Sequence, residues 1–147
     1  MGVIEGGAMR IFWQDAMRLG AAAVDEEHEH IVSLLDGVCL ALMRRDLSAA
    51  ASGLAEFSRV LEGHFAHEEV LLDQFLAEDT HQHREVHRHI SRQVGRLRRA
   101  VTDDRDLAEA EALAAELVTH WITRLFREDA EMIGHMKRLP RAEAPVF

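Results

Sequence analysis

The 147-residue chain has no tyrosine, one cysteine, two prolines and no long apolar run, and each shortage removes a class of protein. The lone Cys39 allows no intramolecular disulfide, so a disulfide-stapled domain is excluded and a reducing, cytoplasmic setting is expected. No stretch approaches the roughly 20 apolar residues needed to cross a bilayer, and no basic region followed by an apolar segment opens the chain. Neither a membrane partner nor a signal peptide is therefore expected. The 17 Lys and Arg stand against 26 Asp and Glu, and the resulting net charge of −9 disfavours nucleic acid as a partner. A hydrophobic content of 48% excludes a disordered chain. With tyrosine missing and alanine and leucine abundant, an all-helical fold is favoured over a sheet. What the chain does have is histidine: ten of them, with no consecutive tract.

Apolar residues recur at steps of three and four along four stretches, the signature of amphipathic helices. The first carries His28, Ile31, Leu34, Leu35, Val38 and Leu42 on one face, with Asp25 a candidate cap. The second runs from about Leu47 to Phe75, with Asp46 or Ser48 able to cap it. The third carries His83, His87, Ile90, Val94, Leu97 and Val101, and the fourth runs from near Leu107 to about Met136. Short turns, including one at Ala77–Thr80, separate them. The prediction is an all-α, up-down-up-down antiparallel four-helix bundle with an N-terminal arm. Residues 1–10 are expected to be a disordered leader, 11–138 the bundle and 139–147 a tail that Pro140 and Pro145 keep out of the helix.

The stretch His64-Phe-Ala-His-Glu-Glu69 interrupts the second apolar stripe with polar groups. His64 and Glu68 are four apart and share a face with Leu54, Phe57, Leu61 and Phe75. Buried polar groups are costly unless paired or bound to a metal. In an antiparallel bundle, His28 early in helix one, His64 and Glu68 late in helix two, His83 and His87 early in helix three and Asp129 late in helix four all fall at one end of the core. Four imidazoles and two carboxylates in one apolar layer point to a metal site. That donor set suits iron, and also Zn or Mn. No catalytic acid, base or nucleophile independent of a metal is visible.

These residues resemble the bacteriohemerythrins, single-domain members of the hemerythrin family. The resemblance runs from about Ile11 to Met136, through Trp13 and Gly20, Asp25-Glu-Glu-His28, His64-Phe65 with Glu68-Glu69, His83-x-x-x-His87 and Asp129. It implies a non-haem di-iron protein that binds O2 reversibly as carrier, store or sensor, with a redox partner left unnamed. By resemblance, two Fe ions would be bridged by Glu68 and Asp129, His28 and His64 would hold one, and His83 and His87 the other.

The fourth helix departs from the family pattern, which has a further His five residues before the bridging Asp and four after a Trp. Counting from Asp129 gives Arg124 and counting from Trp121 gives Leu125, so a one-residue deletion lies between them. The count from Asp129 places Arg124 at the vacant position, with His120 or Glu128 as substitute ligands. The gap supports two alternatives: a di-iron enzyme acting on peroxide or nitric oxide, or a metal-binding bundle with altered or lost O2 chemistry. Other motifs carry less. His67-Glu68 opens like the zinc-protease HExxH, but residue 71 is Leu, and Glu27-x-x-His30 and Glu78-x-x-His81 match the ferritin-like pattern in letters only. His30, His67, His81 and His89 are expected on the surface.

Overall fold

A computed structural model describes residues 2–5, 8–76 and 80–147, with side chains from residue 9 onward. The turn expected at Ala77–Thr80 lies, for 77–79, outside the described residues, as do Met1, Gly6 and Gly7 of the leader. Two short strands, β1 (Gly2–Glu5) and β2 (Ala8–Ile11), pair antiparallel. Three long helices follow: α1 (Ala22–Met43), α2 (Leu47–Phe75) and α3 (His81–Thr102). The fourth rod is composite, with α4 (Leu107–Glu116), a π turn over Leu117–Trp121 and α5 (Ile122–Lys137). Each rod packs on the next in chain order and the fourth returns to α1, closing the antiparallel bundle.

Local chemistry explains the boundaries. Asp46 caps α2 by accepting from the Ala49 amide at 2.9 Å, and Asp106 caps α4 by accepting from the Glu109 amide at 3.1 Å. Asp25 does not cap α1, which begins three residues earlier with Ala21 at its N-cap. Its buried carboxylate instead accepts from the amides of Leu19 (2.7 Å) and Gly20 (3.2 Å), fixing the end of the arm against the bundle. Gly20 has φ of +79°, a left-handed conformation that favours glycine, and a Cβ there would also push aside the flexible Lys137 Nζ at 2.7 Å.

Within the stretch expected as a leader, over 1–10, residues 2–5 and 8–10 belong to the ribbon. The Arg10 guanidinium makes two bonds of 2.7 Å to the Asp36 carboxylate on α1, and the Ile11 amide donates to the same group. Ile11 is fully buried beside them. A charged pair between an arm and a helix leaves no periodic trace in sequence, so hydropathy missed it.

The core falls into two clusters. The larger contains Ile31, Leu35, Leu54, Phe57, Leu61, Ile90, Leu97 and Leu125, and the smaller contains Val24, Leu72, Met132 and Met136. No helix among the described residues is long and apolar enough to cross a membrane.

Candidate metal centre

All six residues singled out from the sequence meet in one buried layer. The ligand atoms of His28, His64, Glu68 and Asp129 lie within 4.8 Å of one another, as do those of Glu68, His83, His87 and Asp129. The two sets share the two carboxylates. Each helix contributes according to its direction, and the three- and four-residue steps place every side chain on the inner face.

All four imidazoles turn Nε2 inward. His28 Nε2 lies 2.7 Å and His64 Nε2 3.0 Å from Asp129 Oδ2, while His83 Nε2 lies 2.9 Å and His87 Nε2 3.2 Å from Glu68 Oε2. Glu68 Oε1 and Asp129 Oδ1 make no well-aligned hydrogen bond, though His64 and His83 approach them at 3.1 and 3.2 Å. Unsatisfied acceptors in an apolar core are costly. A cation between them would satisfy both, so the residues fit a metal in donor type and in unmet bonding capacity.

The layer's electrostatics follow from this crowding. Burial opposes charge on His64, yet bonds to Asp129, Glu27 and Glu68 hold its pKa well above the usual imidazole value. Burial likewise opposes the His83 imidazolium, but Asp129 and Glu68 lift it to about 9. Burial disfavours the Glu68 carboxylate too, and His64, His83 and His87 hold it well below the usual range. Without a metal, His64 and His83 thus pair as cations with the Glu68 carboxylate, a pattern that a bound cation would replace.

Sequence reasoning missed the partners around the layer. Glu27 on α1 accepts from His64 Nδ1 at 2.5 Å and from His67 Nδ1 at 2.6 Å. A carboxylate only accepts, so it keeps the proton of His64 on Nδ1 and leaves Nε2 facing the centre. His67, expected as a bystander, is the second partner of Glu27. Its spacing of three from His64 was the available signal, because it puts both rings beside one neighbouring side chain. Glu69 plays the corresponding part for His87, 3.2 Å from Nδ1. Phe126 stacks on His28 with centroids 4.1 Å apart, and Phe65 stacks on His87 at 4.0 Å.

The fourth rod departs from expectation at Arg124. Beyond the π turn the rod is regular α-helix, in which the residue five before Asp129 lies about 140° around the axis. Arg124 accordingly lines an outer cleft with Thr119, His120 and Thr123. Leu125, one turn before Asp129 on its face, is fully buried with Phe65 and Ile90. His120 is exposed and meets Trp121 edge-on at 4.8 Å, so it does not join the layer. Glu128 is buried and accepts from Gln82 Nε2 at 2.8 Å, outside both donor sets.

The family model described as the hemerythrin HHE cation binding domain matches residues 19–136. The chain belongs to the hemerythrin family. Among curated relatives it is similar to bacteriohemerythrins of Pseudomonas aeruginosa strains LESB58 and UCBPP-PA14, each 24% identical over 119 residues. The alignment covers 81% of this chain and 76% of each relative, and the bacteriohemerythrin of Pseudomonas paraeruginosa matches to the same extent. No solved structure matches significantly. In this hemerythrin-type bundle the clustered His, Glu and Asp side chains are a set able to hold metal.

Proposed function

We propose that the chain is a non-haem di-iron protein that binds O2 reversibly within its bundle, in the cytoplasm. The observation that carries this reading is the pair of donor sets sharing Glu68 and Asp129, each with an unsatisfied oxygen. In it, His28 and His64 would hold one ion, His83 and His87 the other, and Glu68 and Asp129 would serve both. When bound, the iron pair supplies the electrons that O2 accepts on capture. The protein's own residues do the rest. Glu27 and Glu69 orient imidazoles from outside, while Phe126 and Phe65 lie flat on His28 and His87 and wall off water. The name of the Pseudomonas relatives supports the same class.

A rival reading, an enzyme acting on peroxide or nitric oxide, draws on one observation: among the described residues α5 adds Asp129 but no imidazole to the donor set of His83 and His87. Anaerobic loading with Fe(II), exposure to air and removal of O2 under vacuum separate the two. Reversible binding predicts an absorption band that appears with O2 and disappears on its removal through several cycles. One-way conversion to a ferric spectrum would favour the enzyme.

A further inference from the structure

The two donor sets offer the same kinds of ligand, two imidazoles and the shared carboxylates, but do not have the same surroundings. The side chains of His28 and His64 are fully buried. Those of His83 and His87 are 7% and 3% exposed, and His83 forms part of the wall of a cleft of about 290 Å³. Leu72, Leu76 and Met132 line its apolar side, and Gln82, Glu128 and Glu131 its polar side. Gln82, Glu128 and Glu131 also line the outer cleft that holds Arg124, so the Gln82–Glu128 hydrogen bond is the partition between the two spaces. From α5, Leu125 offers no donor atom, Arg124 is turned into the other cleft, and His135, in the wall of this cleft, is not in the donor set.

We infer that the metal position between His83 and His87 is completed from outside, by a small neutral ligand with a lone pair for the metal and an N–H or O–H for Glu128, entering through this cleft. The inference rests on the metal-binding reading above. The geometry selects the ligand class. The volume is many times the roughly 30 Å³ share of a water molecule, so a five-membered azole or a hydroperoxide fits. Two carboxylates, Glu128 and Glu131, outnumber the one other titratable side chain of the wall beyond His83, the His135 imidazole, and disfavour an anion. The polar wall also favours a molecule that donates a hydrogen bond over a bare diatomic, because Glu128 is an acceptor beside the route.

The test uses the full chain loaded with Co(II), with imidazole as the neutral probe, azide as the anionic comparator and cobalt absorption as the readout. Two cobalts per chain are expected, with imidazole changing the absorption of one. Glu128→Leu should weaken imidazole by about fivefold, the size of one hydrogen bond, and tighten azide. Glu131→Trp, which fills the cleft mouth from an exposed helix position, should abolish the response, and Glu131→Ala should retain it. Two cobalts with no imidazole response, or an undiminished response in Glu131→Trp, would overturn the inference alone. Fewer than two cobalts in the unaltered chain would overturn the two-metal reading, and the inference with it.

Discussion

In the His28/His64 half of the layer the two rings meet edge to face at 4.8 Å, and in the His83/His87 half at 4.7 Å. Each half has one ring lying flat on a phenylalanine, and each draws on the same two carboxylates. They part company at the periphery. His64 is held by Glu27 at 2.5 Å with His67 gripping the far oxygen, whereas His87 meets Glu69 at 3.2 Å and Glu69 also faces Arg84 at 3.5 Å. A carboxylate beside a guanidinium is a weaker acceptor for an imidazole N–H, and this half borders a cleft through His83. The difference teaches that ligand identity sets what a layer can bind, while the second ring of contacts decides which half is rigid and which admits something new.

The largest effect should come from erasing the comparison. Glu68→Ala removes a carboxylate common to both halves, and metal content should fall to near zero at both positions, measured by elemental analysis after anaerobic loading. Loss of only one equivalent would show that Glu68 does not bridge.

Glu27→Ala should act on one half alone. Metal affinity at the His28/His64 position should drop by about 10- to 100-fold, as for other outer-shell partners, with the other position unchanged in a Co(II) titration. His67→Ala should give a smaller loss, and the double variant should be no worse than Glu27→Ala, because His67 acts through Glu27.

Making the halves less alike in ligand count is a milder change. Leu125→His should tighten metal at the His83/His87 position, since residue 125 is in line with Asp129, and Arg124→His should leave it unchanged. The reverse ranking would restore the register counted from the sequence. Without metal, Leu125→His should be less stable, because an unpaired imidazole then sits in the core.

The smallest effect is on pH dependence, and it has opposite signs with and without metal. In the folded, metal-free chain His83 is raised to about 9 and His64 is raised as well. A raised pKa gives stabilisation that is complete below the unfolded value near 6.5 and is lost as pH climbs through the folded one. The lowered Glu68 contributes above the unfolded carboxylate range and is lost on acidification. Metal-free Tm should therefore be highest between roughly pH 5 and 6.5 and decline toward pH 9. Metal requires neutral imidazoles, so affinity should rise over that same interval. Parallel slopes in the two experiments would contradict the ion-paired layer.

The bundle was legible in the sequence because its helices repeat their apolar residues at three and four, and because His28, His64, Glu68, His83, His87 and Asp129 occupy positions where that repeat demands leucine. The outer partners were not legible. Glu27 reaches its partners across the α1–α2 interface, a contact with no fixed spacing along the chain. Arg124 was misplaced because a count of five from Asp129 reaches the same face only in a looser winding, whereas Ile122–Lys137 is regular α-helix and the π turn lies earlier, at Leu117–Trp121. Nor does hydropathy register the Arg10–Asp36 pair that anchors the arm.

The central claim is that one buried layer holds two metal ions sharing Glu68 and Asp129. Iron per chain after anaerobic Fe(II) loading and removal of excess, read with Mössbauer spectroscopy of the oxidised sample, tests it most directly. The account predicts two irons per chain, magnetically coupled through the shared carboxylates. One iron per chain, or two that behave independently, would contradict it.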